Sequence, residues 1–353
     1  MISVESILTK AVEARRISPE EGVVLFESAP LLDLGLAANE VCRRLHPEPW
    51  RTYVVDRNIN YTNVCISRCK FCAFYRDAGS REAYLLSEEE IHRKIAEAVD
   101  LGATQILMQG GLHPELDIVW YEALLRGIKD RFEVDVHSFS PPEIVHIGRI
   151  SGLRISDVLI RLKDAGLDSV PGGGAEILSD ASRESLSPAK CTTDQWLEVM
   201  ETAHGLGLPT TATMMFGHTE TFGQRIEHLE RIRHLQDRTG GFTAFIPWTY
   251  QPGNTELGGE TVGGYDYLRT LAISRFYLEN FTNIQASWVT QGPKIGQIAL
   301  YFGANDLGST MIEENVVAAA GVSFRMSEEE LRDAIRGAGF APCRRDTYYC
   351  MLE

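Results

Sequence analysis

The 353-residue sequence contains no apolar run approaching the roughly 20 residues that a membrane-spanning helix needs. Its opening, MISVESILTKAVEARRISPEEG, lacks the apolar centre of a secretory signal. These two absences point to a cytoplasmic chain without a membrane partner. Positive charge is in deficit: 34 Lys and Arg against 49 Asp and Glu give a formal charge of −15, and no long basic run stands out. A surface of that sign repels a phosphate backbone, so nucleic acid is not an expected partner. An anionic small substrate stays compatible, because a local basic pocket overrides the global field. Cysteine is scarce, and its count of seven is odd. A secreted disulfide framework would use an even set, so a reduced compartment fits better. No Pro/Ser-rich linker, solenoid-length repeat or low-complexity tract divides the chain.

What the chain does contain is an alternation of strand and helix patterns. Candidate strands are RTYVVD (51–56), TQILMQGG (104–111), EVDVHSFS (133–140), LDSVPGG (167–173), PTTATMMFG (209–217), GFTAFIPW (241–248), NIQASW (283–288) and FGANDLGS (302–309). Helical patterns lie between them. SEEEIHRKIAEAVDLG starts on Ser87 with Glu90 three residues on, a capping box, and Gly102 follows its last periodic residue. TTDQWLEVMETAHGLG, TFGQRIEHLERIRHLQDRTGG and MSEEELRDAIRGAG repeat that design. The pattern predicts an α/β protein, a (β/α)8 TIM-type barrel with an N-terminal helical extension. The expected layout is a helical segment over 1–50, the barrel over 51–320, and a C-terminal helix and tail over 321–353. An open doubly wound sheet is the competing layout. The barrel is preferred because QGGLHPE, SFSPPE, PGGGAE, FGHTE and PWTYQPGN all fall at strand ends, which a barrel gathers on one face.

Three of the seven cysteines fall in NVCISRCKFCAF, as Cys65-x3-Cys69-x2-Cys72. Structural zinc asks for four ligands, and no second pair follows; His46 and His92 are isolated. Disulfide exchange would use Cys69 and Cys72 and leave Cys65 without a role. A [4Fe–4S] cluster accounts for the number, since three thiolates hold three irons and leave the fourth open to a small molecule. The scattered Cys42, Cys191, Cys343 and Cys350 read as packing.

This spacing resembles that of the radical S-adenosylmethionine (SAM) superfamily. The resemblance implies that Cys65, Cys69 and Cys72 hold a [4Fe–4S] cluster whose open iron binds SAM. An electron from the cluster then cleaves the sulfonium to methionine and a 5′-deoxyadenosyl radical. Phe71, before the third cysteine, would pack near the adenine. Gly110 and Gly111 resemble the Gly-Gly element whose backbone approaches SAM, where a Cβ would interfere. Glu176 and Ser140 would contact the SAM ribose or amine. The stretches DRNINYTNVC, QGGLHP, SFSPPEI, GGGAEIL, TATMMFGH, FTAFIPWTYQPGNT, QASWVTQGP and GANDLGSTMIEENV narrow the resemblance to the menaquinone-pathway and deazaflavin-pathway radical enzymes. Within that group the cyclic dehypoxanthine futalosine synthase family is similar over most of residues 50–320.

That family implies a concrete reaction. The substrate, dehypoxanthine futalosine, joins a ribose to a benzoate-bearing side chain. The radical removes the C4′ hydrogen, the carbon radical closes a spiro ring on the aromatic ring, and one electron and one proton leave to restore aromaticity. The protein positions the reacting atoms and excludes water. A low-potential donor such as flavodoxin or ferredoxin would supply the electron. Strand-end candidates for the substrate pocket are Trp248, Gln251, Asn254, Ser287, Trp288, Gln291 and Thr310. Tyr250, Asn305 and Ser309 lie beside them. His113 and His218 are candidate hydrogen-bonding or proton-accepting groups, with no base assigned. Arg57 would pair with an anionic group of substrate or SAM, or form a surface salt bridge. The alternatives are aminofutalosine synthase, a deazaflavin-precursor synthase subunit, and a non-catalytic iron–sulfur barrel.

Overall fold

The computed structural model describes residues 3–322 and 324–352. Its strands are β1 (Trp50–Val54), β2 (Asp56–Ile59), β3 (Gln105–Met108), β4 (Asp135–Ser138), β5 (Thr210–Phe216), β6 (Phe242–Thr249), β7 (Asn283–Ile284), β8 (Asp306–Ser309) and β9 (Ala341–Arg344). Every strand pairing is parallel. The hydrogen-bonded orders are β8-β1-β9, β2-β3-β4 and β5-β6-β7. Only Val55 separates β1 from β2, so the chain itself carries one sheet into the next. Isolated parallel bridges at His137–Ser169, Val170–Thr210 and Gln285–Asp306 connect the rest. The longest pairing, β5 with β6, joins two segments rich in Thr, Phe and Met, residues that suit a pleated surface buried by helices.

Helices follow the strands. Those at Glu88–Asp100, Thr193–Gly205, Phe222–Thr239 and Glu328–Gly337 all begin on capping boxes, from Ser87, Thr192, Thr221 and Ser327. Val4–Val12, Pro19–Ser28 and Leu31–Leu45 precede β1, and Leu31–Leu45 packs along Gly264–Tyr277. No helix among the described residues is long and apolar enough to cross a membrane.

The structure departs from the sequence expectation in four places. RTYVVD is broken at Val55 into two strands. LDSVPGG forms only the bridges at Ser169 and Val170. Pro171 has no N–H to continue a ladder, and Gly172 lies so near β5 that a Cβ would come 2.7 Å from Thr211 O. NIQASW ends as a strand at Ile284, because Ser287 N donates to Tyr267 Oη (2.7 Å) and the chain turns into a helix at Trp288–Gln291. The segment after 321 carries β9 as well as its helix. β9 pairs with β1 from Trp50–Ala341 to Tyr53–Arg344 and brings the C-terminal residues against the strand starts. Polar residues on the strands, among them Asp56, Asn58, Gln105 and His137, are buried where apolar packing would be expected; they face cavities instead.

Candidate active site

Two adjoining cavities, of about 230 and about 270 Å³, share Gln109, Gly173, Trp248, Val316 and Val317. The first lies at the strand ends and is lined by Cys65, Cys69 and Cys72. The second is lined by residues of the strands themselves, among them Val54, Asp56, Asn58 and Gln105. Of the sequence candidates, Phe71, Gly110, Gly111, Ser140, Glu176, Trp248 and Gln251 join the cysteines around the first. Ser287 and Trp288 line the second, and Trp248 belongs to both.

The cysteines sit on a loop that leaves β2 and is held by its backbone. Cys65 N donates to Arg76 O (3.1 Å), Ile66 N to Leu112 O (3.1 Å), Cys72 N to Cys69 O (3.0 Å) and Lys70 N to Leu186 O (2.9 Å). All three are free thiols. Burial raises the Cys69 thiol, against the opposing pull of Lys190 and a Ser67 hydroxyl 3.2 Å away. Burial, with Cys69 nearby, pushes Cys72 up to about 11. Thiols placed this way become thiolates when a metal takes the proton's place.

The Gly-Gly element fixes where this loop lies. A Cβ on Gly111 would come 2.2 Å from Val64 O and 2.8 Å from Cys65 Cβ, so glycine lets the β3 end press against the cysteine loop. Gly110 N donates to Glu143 Oε1 (2.9 Å), which also accepts from Tyr61 Oη (2.7 Å). Glu143 Oε2 accepts from Ser140 N (2.8 Å) and Ser140 Oγ (2.5 Å), so the Ser140 hydroxyl already has a partner. Glu143 is fully buried, and burial raises its carboxyl. Sequence reasoning passed over this residue, although S-P-P-E is a capping-box pattern and carries the signal.

Glu176 has φ 41°, a left-handed backbone that costs a residue with a Cβ of order 1 kcal/mol or more. Its Oε1 accepts from Lys190 Nζ at 2.6 Å, while Oε2 is buried with no hydrogen-bond partner among the described residues. Lys190 also sits over the Phe71 ring, 5.2 Å from its centroid. Its ammonium is buried, and Glu176 and Cys69 hold its pKa above the usual lysine range despite desolvation. Lys190 was missed because it lies in the loop SPAKCTT, where nothing in the sequence marks it.

The second cavity is polar on one side. Asp56 Oδ2 accepts from Gln105 Nε2 (2.6 Å) and Oδ1 from Ser309 Oγ; burial raises this carboxyl. His137 Nδ1 lies 2.6 Å from Ser169 Oγ, and burial pushes the imidazole down to about 3, so it is neutral near pH 7. Arg345, Thr347 and Tyr349 reach this cavity from beyond β9. They were missed because CRRDTYY reads as an exposed tail.

Tyr250 also lines the first cavity and Ser309 the second, whereas Arg57, His113, His218, Asn254, Gln291, Asn305 and Thr310 line neither. Arg57 is engaged by Glu313 (2.7 Å) and Glu97 (2.8 Å), the salt-bridge half of its expectation. His113 Nδ1 accepts from Glu115 N (3.2 Å). His218 is buried against Glu220 (3.1 Å). Asn254 Nδ2 donates to Ala319 O (2.9 Å), Gln291 Nε2 to Thr249 Oγ1 (2.7 Å), and Thr310 Oγ1 to Asp56 O (3.3 Å).

The donor set fits a [4Fe–4S] cluster with SAM. Among the described residues no three His, Cys, Asp or Glu side chains group to hold one metal ion. A cluster makes no such demand, because each thiolate takes its own iron. Beside the thiols lie a buried ammonium, a carboxylate oxygen with no partner among the described residues and a glycine-lined wall, which suit the charged amino-acid end and hydroxyls of SAM.

A family model described as "Radical SAM superfamily" matches residues 59–232, and one described as "CofH/MqnC C-terminal region" matches residues 239–353. The chain is 47% identical over 354 residues to a cyclic dehypoxanthine futalosine synthase of Halalkalibacterium halodurans, covering 100% of this chain and 96% of the relative. It is also 47% identical over 308 residues to a 5-amino-6-(D-ribitylamino)uracil–L-tyrosine 4-hydroxyphenyl transferase of Archaeoglobus fulgidus, covering 86% and 89%. Among solved structures, the [FeFe]-hydrogenase maturase HydG superposes with a TM-score of 0.75 at 17% identity, over 98% of this chain and 75% of that one. Methylornithine synthase (PylB) superposes with a TM-score of 0.74 at 16% identity, over 96% and 98%; at these identities the likeness is one of fold. The chain belongs to the radical SAM superfamily, whose enzymes use a [4Fe–4S] cluster and SAM, and within it to the group that shares the CofH/MqnC C-terminal region.

Proposed function

We propose that this enzyme cyclises dehypoxanthine futalosine to cyclic dehypoxanthine futalosine in menaquinone biosynthesis, in the cytoplasm, with a low-potential flavodoxin or ferredoxin as electron donor. The observation that carries the reading is identity of 47% over essentially the whole chain to synthases of that name from Halalkalibacterium halodurans and Streptomyces coelicolor. The strands over 51–320 are proposed to close as a (β/α)8 barrel, flanked by the segments 1–50 and 321–353. The parallel bridges between the three sheets support that closure.

In this reading Cys65, Cys69 and Cys72 hold the cluster. Phe71, Gly110, Gly111, Ser140 and Glu176 surround SAM, and Lys190 joins them. When bound, the two cofactors supply a carbon radical able to remove an unactivated hydrogen. The chain's own contribution is placement. Glu143 fixes the Gly110 amide and with it the end of β3. The Glu176–Lys190 pair presents one carboxylate oxygen and one ammonium side by side. Trp248, common to both cavities, stands where the substrate must pass between the cofactor side and the strand-lined side. The second cavity is mostly apolar apart from its polar side, so a bound substrate displaces solvent and leaves its own C–H bond as the hydrogen source within reach of the radical.

A second reading is transfer of a 4-hydroxyphenyl group to a ribitylaminouracil, favoured by the 47% identity to the Archaeoglobus fulgidus transferase. Incubating the reduced, reconstituted enzyme with SAM and each candidate substrate, with mass-spectrometric analysis of products, separates the two. Conversion of dehypoxanthine futalosine to a cyclised product two hydrogens lighter supports the first reading. Product only from tyrosine and the ribitylaminouracil supports the second.

A further inference from the structure

The C-terminal segment supplies part of the second cavity's wall. β9 lies along β1, and the chain beyond it crosses the starts of the strands. There Thr347 Oγ1 donates to Gln105 Oε1 (2.7 Å), and Arg345 pairs with Asp306, their side chains only 4% and 0% exposed. Next on this path is Tyr349, which lines the cavity. Three observations single it out. Its backbone has φ 64°, a left-handed conformation that a tyrosine adopts only when its surroundings enforce it. The Arg345 guanidinium lies 3.8 Å from its ring centroid, which holds the ring in place. Its hydroxyl is buried without any hydrogen-bond partner among the described residues. On the same cavity, Asn58 Oδ1 is likewise buried and unpartnered.

Charge decides what these groups face. Arg345 is the one cation lining this cavity among the described residues, and Asp306 already neutralises it. Asp56 adds an acid, itself satisfied by Ser309 and Gln105. The wall therefore offers no free positive charge to a carboxylate. It offers instead one unpaired donor, one unpaired acceptor and a neutral imidazole, which match alcohols that both donate and accept. We infer that the strand-lined cavity is a polyol subsite: the hydroxyl-bearing sugar end of the substrate lies against the C-terminal segment, and Tyr349 Oη donates to one of its hydroxyls. This rests on the functional reading above, in which the substrate carries both a sugar and a benzoate. The benzoate carboxylate lies outside this wall.

Tyr349→Phe removes the hydroxyl and no hydrogen bond among the described residues, so the variant melts with the wild type and keeps its iron. Substrate binding to the reconstituted holoenzyme, measured anaerobically by calorimetry, should weaken about tenfold, the effect of one lost hydrogen bond. KM should rise by the same factor while kcat changes less than about twofold, the signature of an interaction made equally in ground and transition states. Substrate analogues lacking one sugar hydroxyl at a time complete the test. One of them should bind the wild type about tenfold more weakly than substrate does, and should lose nothing further in Tyr349→Phe. A variant that binds substrate and every analogue as the wild type does overturns the subsite. Failure of the wild type itself to bind dehypoxanthine futalosine overturns the functional reading, and the subsite for that substrate with it.

Discussion

Gly111→Ala tests how the β3 end holds the cysteine loop. The added Cβ would come 2.2 Å from Val64 O, 2.7 Å from Val64 C and 2.8 Å from Cys65 Cβ. An ordinary separation is about 3.5 Å, so loop and strand end must part by roughly 1 Å. The obstructing atoms are backbone and the root of a cysteine, and neither can swing aside. Overpacking of this kind costs about 1–3 kcal/mol. Unfolding entropy of about 2.1 cal/mol/K per residue amounts to roughly 0.7 kcal/mol/K for the 353 residues, so Tm should fall by only about 1–4 °C. The functional loss should be far larger, because displacement of a reacting group by about 1 Å costs on the order of a hundredfold in rate. The assay is 5′-deoxyadenosine formation per iron in anaerobically reconstituted enzyme, alongside a melting curve. Gly79→Ala is the control on the same loop, since nothing lies within 4 Å of its added Cβ. A Gly111→Ala enzyme that cleaves SAM at the wild-type rate would refute the reasoning.

Alanine at Cys65, Cys69 or Cys72 should abolish the cluster's visible absorption and SAM cleavage, whereas alanine at Cys42, Cys191, Cys343 or Cys350 should leave both; full iron content in Cys69→Ala would sink the assignment. Glu176→Gln leaves the Lys190 ammonium buried without its carboxylate, where the two side chains are 9% and 12% exposed, and should cost about 3–5 kcal/mol in denaturant unfolding. The double variant Glu176→Gln/Lys190→Met should recover much of that loss, and an unperturbed single variant would contradict a buried charge pair. Burial holds His46 and His204 down to about 4 and His137 and His228 down to about 3. Their folded values lie below the unfolded value of about 6.5, so the stability they carry is present above that pH and is lost as pH falls toward 4. The slope reaches up to about 1.4 kcal/mol per pH unit for each histidine, and a Tm that stays flat from pH 7 to 4.5 would contradict it.

The cysteine loop was legible because its chemistry lies within a few consecutive residues. The Gly-Gly element was legible because a close backbone approach requires glycine, and the Cβ clash at Gly111 is the physical form of that requirement. Long strands such as β5 and β6 announced themselves through composition. What escaped detection depends on contacts between segments far apart in the sequence. Lys190 meets Glu176 from a loop, and Arg345 meets Asp306 across 39 positions. β9 is a four-residue strand with a proline and no alternation to mark it. Arg57 shows the converse: a cation at a strand position reads as a ligand for an anion, yet Glu97 and Glu313 come from other elements to take it.

The most direct test follows one hydrogen atom. Reduced, reconstituted enzyme is incubated with SAM and dehypoxanthine futalosine deuterated at C4′, and the 5′-deoxyadenosine is weighed by mass spectrometry. The cyclase reading predicts one deuterium in the 5′-deoxyadenosine for each molecule of cyclised product. Unlabelled 5′-deoxyadenosine alongside full conversion of the substrate, or a product that carries the adenosyl group, would contradict it.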